Sequence, residues 1–79
     1  MKRYDYTIFP NNSKAHFEEA CSKIEKAYPN IKKEKLLIDV DGSTIQTYTE
    51  NNFDIDVYDD YDIGAVFIKS DVNLDTIFS

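Results

Sequence analysis

With 79 residues the chain has room for one domain and one core, and its single cysteine excludes an internal disulfide. A domain this small buries only about 60% of the surface its unfolded chain exposes, which leaves few walls to spare for a deep substrate cleft. The formal charge of −6 is uneven: residues 1–35 hold eight Lys or Arg against five acids, whereas residues 36–79 hold one Lys against ten acids, so phosphate is repelled by the second half and direct nucleic-acid binding there is disfavoured.

The hydrophobic fraction of 42%, with six Tyr and five Phe, is that of a folded protein, and two Gly and two Pro argue against a loop-rich one. Residues 1–5 carry the charge of a leader peptide without its apolar stretch. No apolar run approaches the ~20 residues that span a bilayer, so the expectation is a soluble, cytoplasmic protein with no membrane partner.

In chain order, residues 3–9 alternate, with Tyr4, Tyr6 and Ile8 on one side, and predict a first strand. Pro10 to Ser13 stop it, and Asn12 or Ser13 can cap a helix. Phe17, Ala20, Cys21, Ile24, Ala27 and Tyr28 then form an apolar helical stripe that Pro29 ends. After a basic connector containing Lys32, Lys33 and Lys35, residues 36–40 predict a strand with Leu36, Ile38 and Val40 facing inward, turning at Asp41-Gly42. Its expected partner, from Ser43 onward, places Ile38 opposite Ile45. Residues 53–58 alternate with Phe53, Ile55 and Val57 inward, and keeping Ile45 on that same face requires a three-residue loop, 50–52, with Asn52 in left-handed backbone. Residues 63–68 are apolar on both sides and predict a covered strand, with the tail 71–79 as a docked helical turn shielding its far side. The fold class is therefore α+β: one amphipathic helix on a mostly antiparallel sheet of four or five strands, in the order β-α-β-β-β-β, in one domain.

Residues 36–44, Leu-Leu-Ile-Asp-Val-Asp-Gly-Ser-Thr, resemble the first motif of the haloacid-dehalogenase-like phosphotransferases, a hydrophobic strand followed by two Asp one residue apart. The resemblance implies Asp39 as nucleophile, Asp41 as acid/base and a magnesium ion. It also implies a much longer parallel-sheet core with further motifs, and this chain has neither the length nor those motifs. Asp39, Asp41, Ser43 and Glu50 fall at positions 1, 3, 5 and 12 of a calcium loop, but the turn glycine that loop needs would fall on Thr44. His16 has no acid or cysteine cluster around it, and Cys21 lies in the apolar stripe, so neither suggests a catalytic group or metal ligand. No cofactor and no catalytic residue are expected.

What remains is an acidic and aromatic set. Alternation places Asp54, Asp56 and Tyr58 on the face opposite Ile55 and Val57, the assumed register adds Asp39 and Tyr48, and Asp59, Asp60, Tyr61 and Asp62 continue it into the next turn. Solubility alone accounts for an acidic sheet face. Against that, like charges crowded into one turn repel one another in the free protein, and tyrosines supply contact area at little entropic cost. Such a surface suits a basic protein partner, which it would capture by electrostatic steering. In size, acidity and absence of a catalytic motif the chain resembles toxin-immunity proteins and phage anti-defence proteins. The resemblance implies either an inhibitor of a nuclease-like toxin or a nucleic-acid mimic of the anti-CRISPR or anti-restriction kind, a binding protein and not an enzyme.

Overall fold

The computed structural model describes residues 4–78; Arg3 of the expected first strand and Ser79 of the tail lie outside them. In chain order the elements are β1 (Tyr4–Phe9), α1 (Lys14–Ala27), β2 (Lys32–Lys33), β3 (Leu37–Ile38), β4 (Thr44–Glu50), β5 (Phe53–Asp60), β6 (Ala65–Ser70) and α2 (Asp75–Phe78). The fold is α+β, and every pairing among the described strands is antiparallel. The sheet runs β1-β6-β5-β4, and β2 and β3 share the remaining edge of β4. None of the described helices is long and apolar enough to cross a membrane.

Helix α1 starts where the sequence supplies a cap: the Ser13 side chain accepts a hydrogen bond from the His16 amide at 3.0 Å. At its other end the Tyr28 amide donates to the Ile24 carbonyl at 2.9 Å, and Pro29 prevents continuation. The stripe buries Phe17, Ala20, Cys21 and Ile24 against Tyr48, Ile55, Val57, Val66 and Ile68 of the sheet. Leu74 completes this core, and its amide is held by the Tyr6 hydroxyl at 2.8 Å. The tail thus packs on the helix side of the sheet, with Lys23 of α1 over the Phe78 ring, and does not shield the far side of β6 as expected. Residues 63 and 64 belong to the turn before β6, not to the strand.

The register of β4 differs from the sequence expectation. Glu50 pairs with Phe53, so the connection is the two-residue turn Asn51-Asn52, and among the described residues no side-chain-bearing residue has a positive φ. Gln46 and Tyr48 therefore face α1, opposite Val57 and Ile55, while Ile45 and Thr47 face away, opposite Tyr58 and Asp56. Ile45, expected to face inward, lies on the outer side. Because the side-chain period in a strand is two, one step of register exchanges the faces of the whole strand.

The expected 36–40 strand is also corrected. Lys33 pairs with Tyr48 but Leu37 pairs with Ile45, so three residues, 34–36, oppose two, 46–47, and the edge bulges. The bulge is tied down by the Glu34 amide donating to the Thr47 carbonyl at 2.9 Å and by Gln46 Nε2 donating to the Glu34 carbonyl at 2.6 Å. Pairing then ends early: Ile38 meets Thr44, not Ile45, and Ile38 and Val40 are 70% and 103% exposed. The basic connector, expected as a loop, supplies β2.

These placements separate two classes of apolar residue. Ile24→Asp or Val57→Asp puts an unpaired charge into the core and should abolish the cooperative thermal transition. Ile38→Asp should leave the melting temperature within a few degrees of the parent, as measured by circular dichroism; loss of the transition in Ile38→Asp would restore the inward-facing strand.

Candidate acidic and aromatic interface

Alternation along β5 sends Ile55 and Val57 to the helix side and Asp54, Asp56 and Tyr58 to the outer side of the sheet, which no described element covers. Across that outer face the register aligns Ile45, Tyr58, Phe67 and Thr7 in one row and Thr47, Asp56, Lys69 and Asp5 in the next. The Tyr58 and Phe67 rings stack with centroids 4.6 Å apart and planes within 8°. Lys69 Nζ stands 5.9 Å and 6.0 Å from the same two ring centroids, flanked by Asp56 and Asp5 on the neighbouring strands. A cation on this face is thus attracted both by ring faces and by carboxylates, and the chain supplies one such cation itself.

A second acidic group gathers at the end of the sheet, where two turns meet. The Tyr61 amide donates to Ser43 Oγ at 2.8 Å and ties the turn before β6 to the turn before β4. Asp60 Oδ1 accepts from the Asp62 and Ile63 amides, both at 2.9 Å, and Gly64 (φ +78°) closes the same turn. Asp41 Oδ1 accepts from the Ser43 amide at 2.9 Å, and these hydrogen bonds hold its carboxyl below the ordinary carboxylate range. Asp39 Oδ1 accepts from the Val40 amide at 2.7 Å. Asp39, Asp41, Asp60 and Asp62 border a depression of about 310 Å³ beside Tyr58. Around it Val40, Tyr61 and Ile63 expose apolar surface.

Two of the residues assigned to the acidic set lie elsewhere. Tyr48 is fully buried on the helix side, its hydroxyl donating to Glu25 Oε2 at 2.5 Å. Burial pushes the phenol far above its ordinary range, and the Tyr48 hydroxyl, followed by Lys33 at 3.1 Å, holds the Glu25 carboxyl below its own. Asp59 continues the Ile55–Val57 row onto the helix side and is 3% exposed. Its Oδ1 has no hydrogen-bond partner among the described residues. Burial raises the Asp59 carboxyl, opposed by a hydrogen bond from the Asn12 side chain; the neighbouring Asp60 adds to the rise and His16 opposes it.

The resemblance at 36–44 does not extend to the structure: Asp39 and Asp41 sit in exposed turn positions beside a two-residue strand of an antiparallel sheet. Among the described residues, no group of three or more His, Cys, Asp or Glu side chains could hold a metal ion. His16 stacks on Phe9 at 4.1 Å and its Nδ1 lies 2.7 Å from the Asn11 carbonyl, a structural setting at the start of the helix. Burial raises the Cys21 thiol, which makes it a poor nucleophile. No protein-family model, curated protein or solved structure matches the chain.

The Asp59 environment has a measurable consequence. An acid whose folded-state titration lies above its unfolded one favours folding only while protonated, so its contribution is lost as pH rises out of the carboxylate range. Asp59→Asn should therefore stabilise the protein at pH 7, by roughly 1–3 kcal/mol if the buried unpartnered charge is fully relieved. The gain should shrink as pH falls from the raised folded-state titration toward about 4 and be absent below it, where the unfolded carboxyl is protonated too. Denaturant melts of parent and variant at both pH values check this; a variant less stable at pH 7 would show that the carboxylate holds the fold together.

Proposed function

We propose that the chain is a small acidic binding protein, of inhibitor or immunity type, that acts in the cytoplasm by covering the positively charged surface of a nuclease-like or toxin partner. The observation that carries this reading is the division of the sheet. The core and both helices occupy one side, and the other presents Asp54 and Asp56 beside the stacked Tyr58–Phe67 pair, continued at the sheet end by Asp39, Asp41, Asp60 and Asp62 around exposed apolar side chains.

The chemistry of such a face suits arginine and lysine. A cation over an aromatic ring gains about 0.5–1 kcal/mol when exposed and about 2 when desolvated. Adjacent carboxylates add charge-assisted hydrogen bonds, which are roughly twice as strong as neutral ones. Apolar Val40, Tyr61 and Ile63 among the acids provide the area that charge alone does not. An approaching basic protein meets a field of one sign, which raises the rate of capture and falls away as salt shortens the screening length below about 8 Å.

The test compares two isosteric, charge-matched double variants. Asp56→Asn with Asp62→Asn removes two charges from the proposed face, and Glu18→Gln with Glu19→Gln removes two from the exposed flank of α1. Immobilised parent and variants are exposed to host lysate, captured proteins are identified by mass spectrometry, and any captured enzyme is assayed with and without one equivalent of the chain. A basic protein should be retained by parent and helix variant, released about tenfold more readily by the face variant, and inhibited at one-to-one stoichiometry. Equal loss from both variants would reduce the effect to net charge, and full retention by the face variant would make the face a solubility device.

A further inference from the structure

On the helix side, between α1 and the bulged edge, lies a cleft of about 450 Å³, within the range that holds small ligands. Its walls are apolar where Phe17 and Cys21 of α1 face Leu36, and polar where Thr44 and Gln46 of β4 form the floor. Asp59 borders this cleft as well, and its Oδ1 is the one buried side-chain oxygen or nitrogen without a partner among the described residues. Native proteins seldom leave such an atom unpaired, and a carboxylate oxygen in a water-excluding wall is a strong acceptor for a cation brought to it.

We infer that this cleft binds a primary ammonium group carried on an apolar stem, with the Asp59 carboxylate as its counter-ion. Ammonium fits better than guanidinium because a single unpartnered oxygen, Asp59 Oδ1, meets the cleft, and a guanidinium fork needs both oxygens in one plane. The stem lies along Phe17 and Leu36. Leu36, in the bulge between β2 and β3, and Tyr61, in a turn, line the cleft, and neither lies within a strand, so both are placed to yield as a ligand reaches the buried Asp59 oxygen. The charged groups facing the site are Asp60 and His16 beside Asp59, Lys14, Glu18 and Glu25 on α1, and Lys33 on the edge. This site lies on the opposite side of the sheet from Asp54 and Asp56, although Thr44 and Asp59 also border the acidic depression at the sheet end.

The full chain, labelled with nitrogen-15, is titrated with n-pentylamine hydrochloride and separately with the peptide acetyl-Gly-Lys-Gly-amide; n-pentanol supplies the same stem without the charge. Saturable shifts of the Cys21, Thr44, Gln46 and Asp59 amides are expected with at least one of the two cations and not with pentanol. Saturation by the amine assigns the ligand to free amines, and saturation by the peptide alone assigns it to a partner's lysine. Asp59→Asn should weaken binding by about tenfold or more, as loss of a charge-assisted bond does, and Glu19→Gln, on the exposed flank of α1 outside the cleft lining, should leave it unchanged. Should Asp59→Asn alter the fold, the carbon-13 signal of the parent Asp59 carboxyl gives the same answer, because bound cation favours the charged form and should move its titration to lower pH. No saturation by either cation, equal shifts with pentanol, shifts confined to Asp54, Asp56 and Tyr58, or an unmoved Asp59 titration would each overturn the assignment.

Discussion

The turn at Asn51-Asn52 has two residues, and the rest of the molecule depends on that number. It pairs Glu50 with Phe53 and thereby turns Gln46 and Tyr48 toward the helix. Tyr48 then fills the core and reaches Glu25 on α1, which in turn meets Lys33 on the edge, so one register choice joins helix, sheet and edge through a single chain of contacts. A buried tyrosine needs a partner for its hydroxyl, and this register supplies one in Glu25. The same choice places Ile45 outside, next to Tyr58, and gives the outer face an apolar row beside its charged one.

No described element covers the outer side of the sheet, and its charged side chains are mostly acids. Lys69 sits centrally among the outer-face acids, between Asp56 and Asp5, and relieves part of their mutual repulsion. At the sheet end the relief is of another kind, because Asp39, Asp41 and Asp60 each accept hydrogen bonds from turn amides. These carboxylates therefore shape the turns that display them, and charge and loop geometry are set by the same side chains.

Much of this was legible in the sequence, for identifiable reasons. The helix announced itself through Ser13, the Phe17–Cys21–Ile24 stripe and Pro29, all local signals. The inward row of β5 was equally clear, and simple alternation carried two residues past Val57 places Asp59 on the helix side, although it lies within a run of acids that is otherwise exposed or half-exposed. The orientation of β4 was not legible, because Thr44-Ile45-Gln46-Thr47-Tyr48 has one large apolar residue on each face, and hydrophobicity alone favours the aliphatic Ile45 as the inward one. The edge was obscured for a related reason. A bulge such as that at Glu34 leaves no periodic trace, so Leu36, Ile38 and Val40 read as a buried row although Ile38 and Val40 stand in solvent.

The pairing of β1 with β6 bears on the order in which the fold can assemble. Strands β4, β5 and β6 follow one another through short turns, so their ladders form at little loop-closure cost. Tyr4–Phe9 has no described strand to lie against except Ala65–Ser70, more than fifty residues later in the chain. On the ribosome β1 and α1 emerge long before β6, and the apolar stripe of α1 emerges before Ile55, Val57 and Ile68 exist to cover it. The β1–β6 pairing is therefore the contact of highest sequence separation in the sheet, and it carries the largest loop-closure cost of any strand pairing described.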